Sequence, residues 1–208
     1  MNFLDPSLVL YLPLGKRDGD SFISEDRYGH LATVTGATWG LQGRTFYGTD
    51  DNIVTNAPYA TLFAADALYL AAWVKWTAIP TTNQTFFEST SANCIGVGGG
   101  WASGKWAVYL YTTGWILAQE ATATIDTNWH FVEVSYDKVN LKMFVDLVEK
   151  ASTAETGNAQ RDGNVRLGEA AAGTGDYNGM IGEVFGYNPI PTLARRTLNY
   201  LATKWRYV

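Results

Sequence analysis

Asn128-Trp129-His130-Phe131-Val132-Glu133-Val134-Ser135-Tyr136-Asp137 is the stretch that decides the fold class. Side chains alternate across a strand, so His130, Val132, Val134 and Tyr136 share one side and Trp129, Phe131, Glu133 and Ser135 the other. Directly downstream, in Val139 to Leu147, Leu141, Met143, Val145 and Leu147 alternate with Lys142, Phe144 and Asp146. Two such runs separated only by Asp137-Lys138 predict an antiparallel hairpin inside a sandwich.

Further strands are predicted on both sides of this hairpin: Leu8 to Leu12, Leu31 to Thr35, Asn52 to Thr55, Leu68 to Trp76, Gln84 to Glu88, Cys94 to Val97, Lys105 to Thr112, Trp115 to Gln119, Val165 to Gly168 and Asn178 to Tyr187. The connectors are rich in Gly, Asn, Asp, Thr and Ser, as β-turns require. There is no internal repeat. Only the C-terminus reads as helix: after Pro189 and Pro191, Thr192 can cap a segment in which Leu193, Leu201 and Trp205 roughly share a face, expected to pack on a sheet edge or close the sandwich. The expected architecture is all-β, two stacked antiparallel sheets with a short C-terminal helix, with a closed barrel as the structural alternative.

At 208 residues and 47% hydrophobic, one domain over residues 1–208 can bury a substantial core. The net charge of -5 and the lack of a Lys/Arg run exclude a phosphate backbone as ligand, so no nucleic acid partner is expected. Cys94 is the only cysteine and there are two histidines, which excludes internal disulfides and a Cys/His zinc cluster. Cys94, beside Ile95 and Val97, reads as a buried structural thiol. No apolar run reaches the length of a membrane span. The start lacks a basic region, and Asp5-Pro6 and Pro13 interrupt its apolar residues, so no cleaved signal peptide is expected. Asn83-Gln84-Thr85 matches the glycosylation sequon, read as a chance match.

Several blocks together resemble a known family. Leu8-Val9-Leu10-Tyr11-Leu12-Pro13-Leu14, Asp26-Arg27-Tyr28-Gly29-His30, Thr33 to Trp39 and Phe46-Tyr47-Gly48-Thr49-Asp50-Asp51 are followed in order by Ala72-Trp73-Val74-Lys75, Asn128-Trp129-His130, Phe144-Val145-Asp146, Val165-Arg166-Leu167-Gly168, Ile181-Gly182-Glu183-Val184 and Tyr187-Asn188. This series resembles the laminin G-like branch of the concanavalin A-like lectin/glucanase superfamily across nearly the whole chain. The resemblance implies a jelly roll of two curved sheets that mostly binds glycans or proteins, with hydrolases in the minority. The compact form, ending in a segment like Tyr200 to Tyr207, is similar to virion or adhesion modules of bacteriophages and environmental microbes. In two places the chain departs from the family. Asp146-Leu147 stands where Asp-Gly is usual, which predicts a differently built hairpin exit. Gly182 stands where an Asp often precedes Glu-Val, which removes a carboxylate from any calcium site that Asp serves in relatives.

The superfamily's retaining glucanases resemble one another in a Glu-x-Asp-x-x-Glu strand, whose spacing puts carboxylates on one face. Here the residues two beyond Glu88, Glu120, Glu133 and Glu183 are Thr90, Thr122, Ser135 and Phe185. No strand carries that pair, which leaves only a pair assembled from distant strands. Gly99 to Lys105 mimics a phosphate loop, but Trp106 replaces the required hydroxyl and starts a strand pattern. His130 is in phase with Val132 and Val134 and reads as a satisfied core histidine, with Glu183 as its hypothesised partner. No nucleophile-elbow pattern accompanies either histidine.

Aromatic residues carry the binding signal, since sugar C-H faces stack on flat rings. Trp101 beside the Gly98-Gly99-Gly100 loop, Trp115 after Thr112-Thr113-Gly114, and Tyr109 and Tyr111 between them could line a groove for a sugar or a partner's side chains. Asp18, Asp20 and Asp26 form an oxygen-rich stretch that could hold Ca2+, with turn chemistry as the alternative. No other cofactor is expected. The chain therefore reads as a non-enzymatic binding and structural module on a virion surface, as capsid decoration or tail, contacting glycans or neighbouring subunits and able to form a homo-oligomer. The alternatives are a carbohydrate-active hydrolase and a secreted or cell-surface microbial lectin.

Overall fold

The computed structural model describes residues 5–100, 102–170 and 175–207. In chain order the strands are β1 (Leu8–Pro13), β2 (Ser21–Ile23), β3 (Leu31–Thr35), β4 (Thr38–Gly40), β5 (Gly43–Tyr47), β6 (Asn52–Pro58), β7 (Leu68–Trp76), β8 (Gln84–Ser89), β9 (Ile95–Gly99), β10 (Trp106–Tyr111), β11 (Trp115–Gln119), β12 (Trp129–Tyr136), β13 (Asn140–Val145), β14 (Val148–Ala154), β15 (Asn164–Leu167) and β16 (Asn178–Tyr187). Helices are α1 (Tyr59–Leu62) and α2 (Leu193–Lys204). One sheet runs β14-β13-β12-β7-β16-β5-β4, with β1 also paired to β16. The other runs β11-β10-β9-β8-β15-β6-β3-β2. Pairing between named strands is antiparallel throughout.

The predicted hairpin is β12-β13, with Val132 opposite Val145 and Tyr136 opposite Leu141. Val132, Val134 and Tyr136 join the core between the sheets, where they meet Val97, Val108, Phe87 and Leu167. The alternate residues of β12 are buried as well, because the first sheet is covered on both faces. Its outer face carries a second apolar layer of Leu8, Tyr11, Tyr69, Trp73, Phe131, Phe185, Tyr187 and Tyr207. The helix α2 lies over that layer: Trp73 stacks on Tyr200 at 5.5 Å and its indole N-H donates to Thr203 Oγ1 at 2.8 Å.

Covering the layer this way reverses the expected orientation of the helix. Leu193, Leu201 and Trp205 point to solvent, 65%, 61% and 71% exposed, while Asn199 and Thr203 are buried. The reason is electrostatic. Glu133, on the outer side of β12, is fully buried, and Arg196 of the helix reaches it through two N-H donors at 2.8 and 3.1 Å while the Tyr69 hydroxyl donates at 2.6 Å. A buried carboxylate requires such partners, so the polar face must turn inward. Glu183 anchors the end of the chain in the same way, paired with Arg206 and accepting from the Tyr11 hydroxyl at 3.0 Å and the Tyr207 hydroxyl at 3.3 Å.

Both departures from the family pattern have physical explanations. A Cβ on Gly182 would come within 2.5 Å of the Tyr207 hydroxyl, so glycine there makes room for the C-terminal segment. At the β13-β14 turn, Asp146 and Leu147 both have positive φ, +51° and +69°. Positive φ at both central residues is the two-residue turn that Asp-Gly favours. The hairpin exit therefore has the backbone conformation that Asp-Gly favours, with Leu147 in a conformation glycine would hold without strain. The four strands missed in the sequence are β2, β4, β5 and β14. Three of them are short or glycine-bounded, and β14 is a mostly polar edge strand.

Candidate saccharide-binding face

With α2 over one sheet, the outer face of the other is exposed along β11 and β3, while its middle strands β8 and β9 are buried. Trp115 and Leu117 of β11 are 50% and 44% exposed on it. Three strands build its aromatic end. Tyr109 and Tyr111 alternate outward along β10, whose Trp106, Val108 and Leu110 fill the core. Trp115 pairs with Tyr111 across the β10-β11 ladder. Its ring meets Tyr109 edge-on at 5.0 Å and Tyr111 at 5.1 Å, so two tyrosines hold one tryptophan upright. On β9 the cross-strand partner of Tyr109 is Gly96, where any Cβ would collide with the tyrosine ring. Glycine at that position is what lets Tyr109 lie flat across β9 towards β8.

There Tyr109 meets Glu88, buried at 5% exposure in β8. The Tyr109 hydroxyl donates to Glu88, and burial, reinforced by this carboxylate, pushes the phenol well above its ordinary pKa, so it stays a donor. Thr85 Oγ1 donates to the same carboxylate at 2.9 Å. Glu88 and Tyr109 border a cavity of about 780 Å³, with Trp115, Ile116 and Leu117 on one wall, Thr82 and Asn83 on another, and Ala170 and Gly175 at a side. An apolar and aromatic wall with a few fixed polar groups is the usual make-up of a small-molecule site.

Of the residues singled out in the sequence, Tyr109, Tyr111 and Trp115 are brought together; Tyr111 supports Trp115 from outside the cavity lining. Trp101 lies outside the described residues. Sequence reasoning missed Glu88 as a site residue. Its side is masked because the ladder shifts register between Thr85 and Phe87, which puts both Phe86 and Phe87 in the core and breaks the alternation.

The other expected sites are corrected. Asp18, Asp20 and Asp26 do not converge, and among the described residues no group of three metal-ligating side chains occurs. Asp26 spends its carboxylate on the backbone N-H groups of Tyr11, Tyr28 and Gly29 at 3.0, 2.8 and 3.1 Å. Beside Asp18 and Asp20 the loop carbonyls of Arg17 and Gly19 accept from Arg44, so a guanidinium already fills the place of a cation. The hypothesised His130–Glu183 pair is absent. His130 faces Trp106 on the inner side of its sheet, Glu183 lies under the C-terminal segment on the outer side, and His130 instead bridges Asp146 at 2.7 Å and Asp126 at 3.0 Å. Cys94 is buried as expected, and burial pushes its thiol up to about 12.

A family model described as the concanavalin A-like lectin/glucanases superfamily matches residues 47–192, and the two-sheet fold agrees with it. The chain belongs to that superfamily. Among solved structures, this superfamily member is similar to the binding domain of botulinum neurotoxin DC in complex with SialylT, with a TM-score of 0.74 at 10% identity, over 95% of this chain and 52% of that one. It is also similar to domain 4 of an extracellular arabinanase from Geobacillus stearothermophilus in complex with arabinotriose, with a TM-score of 0.66 at 18% identity, over 92% and 97% of the two chains. The binding domain of botulinum neurotoxin serotype D matches at a TM-score of 0.74 and 13% identity, over 94% and 51%. The chain thus spans about half the length of the neurotoxin domains it matches. No curated protein matched the sequence.

Proposed function

We propose that this chain is a non-enzymatic saccharide-binding module whose ligand lies on the open sheet face, against Trp115 and Tyr109. The observation that carries the reading is a half-exposed tryptophan held upright by two tyrosines at the mouth of the 780 Å³ cavity, on the sheet that α2 does not pack against. A flat ring fixed in this way offers stacking area with little conformational entropy left to lose. The similar domains solved with SialylT and with arabinotriose support the same ligand class.

A non-catalytic role is favoured by the disposition of the glutamates. Glycoside hydrolysis needs two carboxylates flanking one bond. Among the described residues lining the cavity, Glu88 is the single carboxylate. Glu133 and Glu183 hold the C-terminal helix and tail, and Glu120 clamps a loop by accepting from the Thr124 N-H and hydroxyl, both at 2.8 Å.

Replacing Trp115 by Ala is expected to weaken saccharide binding by roughly tenfold or more, about the value of one stacked ring, while the melting temperature stays unchanged because the side chain is half exposed. Glycan-array screening followed by calorimetry reads both quantities. Undiminished affinity would reject this face as the site. The finer part of the proposal is display on a virus particle, as capsid decoration or tail, with neighbouring subunits as further partners. It is supported by a fold that needs no disulfide, since its lone Cys94 is a buried free thiol. Mass spectrometry of purified particles tests it, and absence of the chain there would overturn it.

A further inference from the structure

The charge of the cavity carries an inference about which saccharides it takes. It rests on the saccharide-binding reading. Among the described lining residues Glu88 is the only charged one; Thr82 and Asn83 supply neutral polar groups. The nearest cation by register is Arg166, directly opposite Glu88 on the β8-β15 ladder. It is not part of the lining. Its guanidinium is committed to Glu169 at 3.2 Å and to the Thr90 carbonyl at 3.4 Å. Counting also Asp176, whose carboxylate accepts from the Ala170 N-H at 3.1 Å, these groups leave a net negative charge beside the cavity.

We infer that the open-face cavity selects uncharged saccharides and discriminates against sialylated or uronic ones, with Glu88 as the residue that sets this preference. Two physical effects act in the same direction. Glu88 already accepts from Thr85 and Tyr109, and a sugar hydroxyl donating to a charged acceptor makes the stronger kind of hydrogen bond. An anionic sugar at the same position meets a buried like charge in a medium where repulsion is weakly screened, and the described lining residues include no Arg or Lys to clamp its carboxylate. Tyr109 keeps the Glu88 side chain aimed, because its hydroxyl stays protonated and donating. The preference is opposite in sign to that of a site built around a basic clamp for acidic sugars.

The test uses matched pairs that differ only in the acid: lactose against 3′-sialyllactose and digalactose against digalacturonic acid, with arabinotriose as a further neutral probe. Affinities are measured by calorimetry on the wild-type chain, on Glu88→Gln and on Trp115→Ala. The neutral member of each pair that binds is expected to be favoured by roughly tenfold or more, the gap narrowing in Glu88→Gln and vanishing with all binding in Trp115→Ala. Because Glu88 is buried and its variant can lose stability, the wild-type ratio within each matched pair is the deciding measurement, and the melting temperature of Glu88→Gln is read beside its affinities. Equal or tighter binding of the acidic members overturns this inference and leaves saccharide binding standing. Failure of every probe to bind the wild type overturns the binding reading together with it.

Discussion

At the residue scale, single side chains settle points that pattern alone left open. Leu147 is the clearest case. An L-residue at φ +69° costs about 1 kcal/mol relative to glycine. Leu147→Gly should therefore stabilise the chain by about that amount, offset in part by the greater freedom of glycine in the unfolded state. Chemical denaturation checks it, and a lowered midpoint would show that the partly buried Leu147 side chain contributes more than the strain removes. Residues whose role follows from their own chemistry were legible in the sequence: Cys94 as an inert thiol, and Trp115 and Tyr109 as a surface pair. Gly182 was not, because its reason lies 25 residues downstream in the Tyr207 hydroxyl that occupies its missing side chain.

At the scale of elements, His130 ties three segments together. It sits on β12, hydrogen-bonds Asp146 at the β13-β14 turn and Asp126 in the preceding loop, and presses its ring on Trp106 of β10. Burial alone would lower its pKa, but the hydrogen bonds and charges of Asp146 and Asp126 outweigh it and raise the value above the ordinary 6.5. The folded state thus holds the proton more tightly than the unfolded chain. This stabilisation is fully present below pH 6.5 and is lost as pH rises through the raised folded value. Denaturation midpoints followed from pH 5.5 to 9 should fall across that window in the wild type and stay flatter in Asp146→Asn; equal slopes would contradict the clip. Helix α2 gives a second prediction. Arg196→Met strands the buried Glu133 carboxylate and should cost about 3 kcal/mol in unfolding free energy, whereas Leu201→Glu on the solvent face should change stability little. Equal losses would contradict the observed orientation of the helix. Strands marked by an apolar run, such as β7, or by alternation, such as β13, could be read directly. The helix face could not, because a leucine stripe is the stronger local signal and the buried glutamate that overrides it lies far away in sequence.

At the scale of the whole molecule, three layers decide where binding can occur: α2, the sheet beneath it, and the second sheet, whose far side faces water. The all-β two-sheet architecture and the superfamily were legible because periodicity and ordered motifs accumulate along the chain. Which sheet face stays open was not, since it depends on where the C-terminal segment docks. The cavity combines that open face with β8, β9 and β10, strands whose joint geometry rests on a bulge and on Gly96. A single experiment addresses this arrangement: titration of the 15N-labelled chain with arabinotriose, followed by heteronuclear NMR. The account predicts that shifts concentrate at the Trp115 indole N-H and the backbone of β8, β9, β10 and β11; shifts centred on α2, on the β12-β13 hairpin or on the Asp18–Asp26 loop would contradict it.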